Sequence, residues 1–295
     1  MSLRKKEIII TDVITLLFAV LCYSKKKLTL GGTLSALFIG LIVSFAGYEY
    51  YIIMLSFFAS STKATDIHKN IKMQLLGGTY TKEKKRTANQ VLAKGFFPTI
   101  VSLLIAFLYQ GEMHLFSPNL ETFQKFLYGM YIGFYASANA DTWASELGIN
   151  SKDSPRLVTT LQKVPKGING AISLYGTVMS ILGGLFISIS TIIIIIIRGG
   201  LSIISGTIMI KIIILGMICG FVGSLIDSFL GATLQISIYD EEKKCVIDSD
   251  AIDLSQIKNN SKYIIYGRNI LNNSAVNFIA GVITSLFSGV LFIIL

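Results

Sequence analysis

The sequence predicts an all-α polytopic membrane protein with about seven to eight transmembrane helices. Hydrophobic residues make up 52% of the 295 residues, charged residues only 15%, and the mean hydropathy is +0.65. Apolar runs such as 192–197 and 286–295 do not alternate with polar residues, which disfavours a β-barrel. Because lipid tolerates only backbones with satisfied hydrogen bonds, helices remain. We expect a single integral membrane domain over residues 1–295.

Apolar stretches mark eight candidate spans. The first follows a basic N-terminus without a clear cleavage site, so we expect it to be retained as a helix. The third and fifth are shorter than the roughly 20 residues that a crossing needs, and the third could pair with the second as a broken or tilted element. The candidate spans are 8–23, 29–47, 48–60, 91–109, 124–140, 170–197, 212–234 and 275–295.

Loop charges predict the orientation of the chain. Loop 61–90 is strongly basic, whereas loop 110–123 carries only glutamates, so the first is expected on the cytosolic side. Alternation then places loops 139–169 and 235–274 on the same side. The net charge of +9 is explained by loops that attract membrane lipids, with phosphate-bearing substrates as a second interpretation and no role for nucleic acid.

Cysteine and histidine patterns give no support to a disulfide framework, a zinc site or a haem site. The three cysteines are scattered and odd in number, and His68 and His114 lie far apart. The chain contains neither a Walker phosphate-binding loop nor the dinucleotide-binding glycine motif.

An acidic stretch follows the uncharged apolar run 126–138. Asp141 and Glu146 flank the only tryptophan of the chain, and carboxylates at the mouth of an apolar segment are costly to place. Asp141 shares a helix face with Ser145, whereas Glu146 points elsewhere unless the helix ends there. Such oxygen ligands suit Mg²⁺ held together with substrate phosphates. The alternative is a solvated helix end with a tryptophan at the membrane interface.

The segment 154–170 is basic and glycine-containing. Arg156, Lys163 and Lys166 could grip phosphates, and Gly167 and Gly170 precede a long apolar helix whose free N–H groups would favour an anion. A positive loop with a glycine-rich helix entry explains the same residues. In loop 61–90, Lys63 and Arg86 lie nearest the membrane ends and are weaker candidates for phosphate contacts.

Two further polar features lie within predicted spans. Asp227 stands in an otherwise apolar span, and an intramembrane acid is a functional candidate, although small neighbours such as Ser224 and Gly231 also suit helix packing. Asn273 and Asn277 form a stripe with Asn269 on one helix face. Their amides could bind substrate or join helices.

Taken together, these stretches resemble the membrane family that includes animal transmembrane protein nineteen and plant phytyl-phosphate kinase. The resemblance covers residues 28–295 and is carried by long motifs. They are Ala140–Gly148, Ser154–Thr160, Lys163–Gly170, Gly223–Gln235 and Ile270–Asn277.

The resemblance implies a kinase that phosphorylates an isoprenoid monophosphate and uses Mg²⁺ and a nucleoside triphosphate. CTP is the expected phosphate donor. In that role Asp141 and Asp227 would hold the metal, Glu146 would assist them, and the basic and amide residues would bind substrate. An endoplasmic reticulum membrane or another endomembrane is the expected location. A transporter or a non-catalytic membrane protein is the alternative, since an intramembrane acid and glycine-broken helices also suit an ion or substrate path.

Overall fold

The computed structural model describes residues 3–67, 71–72, 75, 85–109, 120–199, 204–247 and 262–295. These residues form an all-α membrane fold of eight long helices with small β-elements beside it. The helices are α1 (Leu3–Ser24), α2 (Leu30–Ala46), α3 (Tyr48–Ile67), α4 (Ala88–Tyr109), α5 (Thr122–Leu147), α6 (Leu174–Gly199), α7 (Gly206–Leu234) and α8 (Asn273–Ile294).

Helix α5 is the central helix of the bundle. It packs against α3, α4, α6, α7 and α8, and every residue from 127 to 140 is buried. A helix that is apolar on all sides is expected in the interior of a protein. Helices α1 and α2 lie at the periphery, where α1 contacts mainly α2.

Small residues allow the inner helices to approach closely. Ser288 on α8 donates a hydrogen bond from its Oγ atom to the carbonyl of Gly129 on α5, 2.7 Å away. Ser188 on α6 donates in the same way to Ile212 on α7, also at 2.7 Å. Such contacts are the usual means of joining helices in lipid, where apolar surfaces gain little from each other.

Among the described residues, five helices are long and apolar enough to cross a membrane by length and composition. They are α1 from Arg4, α4, α6, α7 and α8, with α2 as a shorter apolar helix of 17 residues. The third predicted span was expected to be short, yet α3 extends to Ile67 and has 20 residues. Hydropathy alone ended the predicted span at residue 60, because the last turns of α3 carry polar side chains.

The central helix differs from its sequence prediction in a way that matters for the site. The fifth span was expected to end at residue 140, but α5 continues to Leu147. Asp141 therefore lies within a continuous helix. Just below it, the buried amide of Asn139 accepts hydrogen bonds from Ser60 and Ser61 on α3 and donates to Gly183 on α6.

Short strands cover the end of the bundle at which α5 and α7 finish. Strands β1 (Arg156–Leu157) and β2 (Ala171–Ile172) pair antiparallel, and a three-stranded sheet has the order β4 (Cys245–Ile247), β3 (Ser237–Asp240), β5 (Tyr263–Tyr266). Val164, Ile168 and Val246 form a small apolar core between the loop and the sheet. This layer fixes the predicted basic segment over the helix ends.

Candidate functional site

A cavity of about 900 Å³ lies beneath the loop layer and extends between the helices. Its walls come from the end of α5, from α7, from the start of α8, from the segment after α5 and from α1 to α4. Nine of the residues proposed from sequence line it. They are Arg86, Asp141, Glu146, Lys166, Gly167, Gly170, Asp227, Asn273 and Asn277.

Asp141 is paired with a lysine that projects from a different helix. The ammonium of Lys94 on α4 donates to Asp141 Oδ2 at 3.1 Å and to Thr142 Oγ1, also at 3.1 Å. Both charged side chains are only partly exposed, at 24% for Lys94 and 19% for Asp141. The pair therefore lies inside the cavity wall rather than in bulk water.

Asp227 approaches this pair from α7. Its carboxylate interacts electrostatically with both Asp141 and Lys94. Its Oδ2 atom is buried and accepts no hydrogen bond from the described residues. Burying an unpartnered carboxylate oxygen costs several kcal/mol in order of magnitude, which marks this atom as one that a ligand could satisfy.

Glu146 lines the same cavity as Asp141, although the helical spacing placed the two on different faces. Both side chains belong to the lining of this cavity. Lys72 donates to Glu146 Oε1 at 2.6 Å, and both side chains are largely buried. Glu146 is therefore engaged in an ion pair, as Asp141 is.

Arg86 lies beside that ion pair, just before α4 begins. Its guanidinium stacks over Phe58 at 5.4 Å from the ring centre and donates to Thr65 Oγ1 at 3.4 Å. Burial lowers the pKa of Arg86 from its ordinary value, and the nearby carboxylate of Glu146 opposes this shift. Arg86 thus keeps its charge and places it in the cavity wall.

The basic segment supplies a lysine and two unusual backbone positions. Lys166 donates to the carbonyls of Ile149 and Ser151, which fixes the turn after α5 while the side chain lines the cavity. Gly167 and Gly170 have φ values of +93° and +76°, which side chains rarely tolerate. A Cβ atom on Gly170 would also collide with the backbone of α7 at Ser228.

The sequence suggested that the helix after this segment begins at Gly170, but the structure places its start four residues later. Residues 171–172 form β2, and α6 starts at Leu174 with the Ser173 hydroxyl accepting from the N–H of Gly176. The first turn is thus capped within the chain. An anion site at the N-terminus of α6 is not supported.

The asparagine stripe is shorter than expected. Helix α8 begins at Asn273, and Asn272 caps it by accepting from the N–H of Ala275 at 2.9 Å. Asn277 donates to the carbonyl of Asn273, and both line the cavity. Asn269 precedes the helix in a turn, and it also reaches the cavity.

Three of the residues proposed from sequence lie away from the cavity wall. Lys63 is exposed on α3, and Lys163 is exposed in the loop layer. Arg156 is exposed as well and donates to the carbonyl of Leu161 at 2.8 Å, which closes a turn of the loop. Their charges face outward from the site.

Sequence reasoning missed two lysines that contact the acids. Lys94 stands inside a predicted span, and the rule that intramembrane charges are functional candidates would have selected it as it selected Asp227. Lys72 stands in the predicted loop 61–90 among many other lysines and had no distinguishing signal in the sequence.

The residues present fit a magnesium ion bound together with phosphate. Among the described residues there is no group of three or more His, Cys, Asp or Glu side chains that could hold a metal by themselves. Mg²⁺ commonly takes only one or two protein carboxylates and fills its other positions with water and substrate phosphates. Asp141 and the unsatisfied Oδ2 of Asp227 match that requirement.

Helices α1 to α4 also contribute apolar side chains to the cavity, and we call the part that they line the apolar chamber. The apolar residues that line it include Phe18, Ala36, Ile39, Met54, Phe58 and Val91.

Comparison with known proteins decides the family. The model of the family described as integral membrane protein DUF92 matches residues 13–285, nearly the whole chain. The chain belongs to this family. It is an integral multi-pass membrane protein.

Relatives in this family cover most of the chain at low identity. Protein PGR of Arabidopsis thaliana is 28% identical over 283 residues, which are 96% of this chain and 95% of that protein. An uncharacterized membrane protein of Methanocaldococcus jannaschii is 29% identical over 214 residues, 72% of this chain and 74% of the relative. A Synechocystis membrane protein, also uncharacterized, is 29% identical over 213 residues, with shares of 72% and 73%. No solved structure matches the chain.

Proposed function

We propose that this DUF92 protein is a membrane-bound kinase that phosphorylates an isoprenoid monophosphate. A nucleoside triphosphate, with CTP as the first to test, is the donor, and Mg²⁺ is the metal. The observation that carries the proposal is the composition of one cavity, whose wall combines acids and cations with an apolar chamber. An amphiphilic phosphate has this distribution of polarity.

The polar end has the parts that phosphoryl transfer requires. When bound, Mg²⁺ would neutralise phosphate charge, held by Asp141 and Asp227. Lys166 and Arg86 place positive charge in the same wall, where it can stabilise the charge on the transferred phosphoryl oxygens. Gly167 and Gly170 bring backbone to the cavity without side chains.

The reaction itself asks for positioning more than for acid–base chemistry. An oxygen of the acceptor phosphate attacks the γ-phosphorus, the bond from that phosphorus to the bridging oxygen breaks, and the nucleoside diphosphate leaves. A phosphate monoester is already largely ionised at neutral pH, so this oxygen needs no general base. This agrees with a site in which Glu146 is engaged by Lys72.

The acceptor class comes from the motif resemblance to phytyl-phosphate kinase and from the apolar chamber. Apolar ligands gain roughly 0.8 kcal/mol for each buried CH₂ group, so a long tail would contribute much of the affinity. The chamber walls belong to helices that face lipid on their other side, where Phe38 on α2 is exposed. Membrane location in an endoplasmic reticulum or another endomembrane belongs to this proposal.

The test is a product assay with purified protein in lipid nanodiscs. Phytyl or geranylgeranyl monophosphate, Mg²⁺ and each nucleoside triphosphate in turn are supplied, and the lipid products are separated by mass spectrometry. The prenyl alcohol and a short alkyl phosphate serve as acceptor controls. We expect a prenyl diphosphate from the native protein and none from Asp141→Asn.

Transport is the second candidate, favoured by the charged residues Lys94, Asp141 and Asp227 between membrane helices. A protein that makes no diphosphate in nanodiscs but carries a phosphate-bearing lipid or an ion across proteoliposomes would support it.

A further inference from the structure

Lys94 places a positive charge beside the two acids proposed to hold metal. It projects from α4, whereas Asp141 and Asp227 lie on α5 and α7, so three separate helices meet at this point. The ammonium lies 3.1 Å from Asp141 Oδ2, and Asp227 interacts electrostatically with both partners. All three side chains line the same cavity.

The charge count of this trio leaves it one positive charge short. With both acids ionised, the two carboxylates and the ammonium sum to a net charge of −1 in a region of membrane helices. In addition, Asp227 Oδ2 is buried and accepts no hydrogen bond from the described residues. A positively charged ligand bound beside this atom would balance the negative charge of the site.

A divalent cation would reverse the imbalance rather than cancel it. Mg²⁺ beside the trio gives a net charge of +1, and the ammonium of Lys94 would then lie within a few ångströms of the metal. Like charges at that distance repel strongly in a partly desolvated site. The lysine chain has four flexible bonds and can turn into the adjoining cavity.

We propose that Lys94 is a tethered cation that competes with a divalent metal ion for the carboxylate of Asp141. The metal then binds tightly only when a phosphate-bearing ligand enters the cavity and accepts the displaced ammonium. Lys94 thus couples metal binding to phosphate binding. It is a positioning residue that weakens the binding of metal to the acids until phosphate is present.

The inference rests on the metal site within the proposed function, and it is independent of the acceptor lipid. Its tests therefore measure metal binding and not product formation. If no kinase activity is found while the metal results follow the proposal, the reaction assigned above is wrong and the role of Lys94 stands.

The first test compares Mn²⁺ binding to native protein and to Lys94→Met by electron paramagnetic resonance. Mn²⁺ replaces Mg²⁺ as the probe, and no nucleotide is added. Removing one positive charge while keeping the length of the side chain should tighten Mn²⁺ binding about tenfold, within the usual range of coupling between sites. Equal or weaker binding by Lys94→Met overturns the proposal.

Matched variants separate local charge from general effects. Lys94→Arg keeps the charge and should bind Mn²⁺ as the native protein does. Lys125→Met removes a lysine at the other end of α5, where it does not line the cavity, and should also leave Mn²⁺ binding unchanged. If Lys125→Met tightens binding as much as Lys94→Met, the effect is one of net charge and the proposal fails.

The second test measures the coupling directly. Inorganic pyrophosphate is added while the free Mn²⁺ concentration is held constant. Pyrophosphate should tighten Mn²⁺ binding more in the native protein than in Lys94→Met, because only the native lysine moves from carboxylate to phosphate. The same increase in both proteins contradicts the coupling.

The third test needs no substitution and so decides the matter even if Lys94→Met fails to fold. Native protein is treated with an amine-reactive reagent, and the modification of Lys94 is followed by peptide mass spectrometry across a Mn²⁺ titration. Displacement from Asp141 should raise the labelling of Lys94 severalfold, with Lys125 unchanged. Labelling that stays constant up to saturating Mn²⁺ overturns the proposal.

Discussion

Asp227 is the residue at which stability and function are most clearly opposed. Its buried Oδ2 atom accepts no hydrogen bond from the described residues, and the part of α7 around it is apolar. A protein selected for stability alone would gain by replacing such a carboxylate, since uncompensated buried charge is destabilising by several kcal/mol in order of magnitude. Its presence therefore favours a role in the site.

We expect Asp227→Asn to separate these two properties. The amide removes the negative charge, so the melting temperature in detergent should be equal to or higher than that of the native protein. Kinase activity should fall by about a hundredfold or more, as for the loss of a main electrostatic group. A variant that loses both stability and activity would instead make Asp227 a structural residue.

Gly170 is the backbone counterpart at the residue scale. Its φ is +76°, and an added Cβ atom would meet the carbonyl of Ser228 and the side chain of Ala232. We expect Gly170→Ala to lower stability by about 1–3 kcal/mol and to disturb the cavity wall. Gly206→Ala is the matched control, because a Cβ there meets nothing within 4 Å, and its melting temperature should not fall.

At the scale of single elements, helices α1 to α4 line the apolar chamber. Ala36 on α2 lines this chamber, whereas Leu34 two residues earlier is exposed on another face of the same helix. Small side chains at the wall leave room for a hydrocarbon tail. The chamber is therefore the feature that should set the preferred tail length.

We expect Ala36→Phe to narrow the chamber and lower activity on geranylgeranyl monophosphate more than on dimethylallyl monophosphate, whose tail is short. Leu34→Phe enlarges a side chain on the lipid-facing side of the same helix and should change the activity on neither acceptor. The ratio of kcat/KM for the two acceptors is the measurement. An unchanged ratio in Ala36→Phe would show that the tail does not bind in this chamber.

The sheet over the helix ends contains an acid, Asp240, whose neighbours offset the effect of burial on its pKa. Burial alone would raise the pKa of Asp240, but the N–H groups of Lys243 and Glu242 and the ammonium of Lys262 hold it below its ordinary value. A carboxylate with a lowered folded-state pKa stabilises the fold above about pH 4. That contribution is lost as the pH falls through the lowered pKa.

We expect the amides of β3 and β5 to lose protection from hydrogen exchange in acid. Protection factors, which correct for the intrinsic pH dependence of exchange, should fall severalfold between pH 5 and pH 3, in accordance with the usual pKa of an aspartate near 4. Asp240→Asn cannot titrate, so its protection should be independent of pH over this range. An equal loss in both proteins would assign the acid sensitivity to other groups.

Sequence reasoning gave the helices but not all of their ends. Eight apolar stretches correspond to the eight long helices of the described residues, because lipid requires backbones with satisfied hydrogen bonds. The end of α5 was placed seven residues early, since hydropathy falls at Asn139 and Asp141. The helix continues because these polar groups are satisfied by α3, α4 and α6, and such partners are not visible in a single sequence.

At the scale of the whole molecule, residues far apart in the chain converge on one cavity. Arg86, Asp141, Asp227 and Asn273 come from four helices or their junctions and line the same walls. Loop charges placed their segments on a single side of the membrane, which is consistent with this convergence. The order in which helices adjoin was beyond the sequence, because periodicity defines the faces of a helix but does not name its neighbours.

The account as a whole is tested most directly by one measurement of product. Native protein in nanodiscs is given geranylgeranyl monophosphate, CTP and Mg²⁺, and geranylgeranyl diphosphate is quantified against CDP. We expect both products in equal amounts, with at least about a hundredfold less from Asp141→Asn. CDP without lipid diphosphate, or no product with any nucleoside triphosphate and any prenyl monophosphate, would contradict the assignment of this cavity as a kinase site.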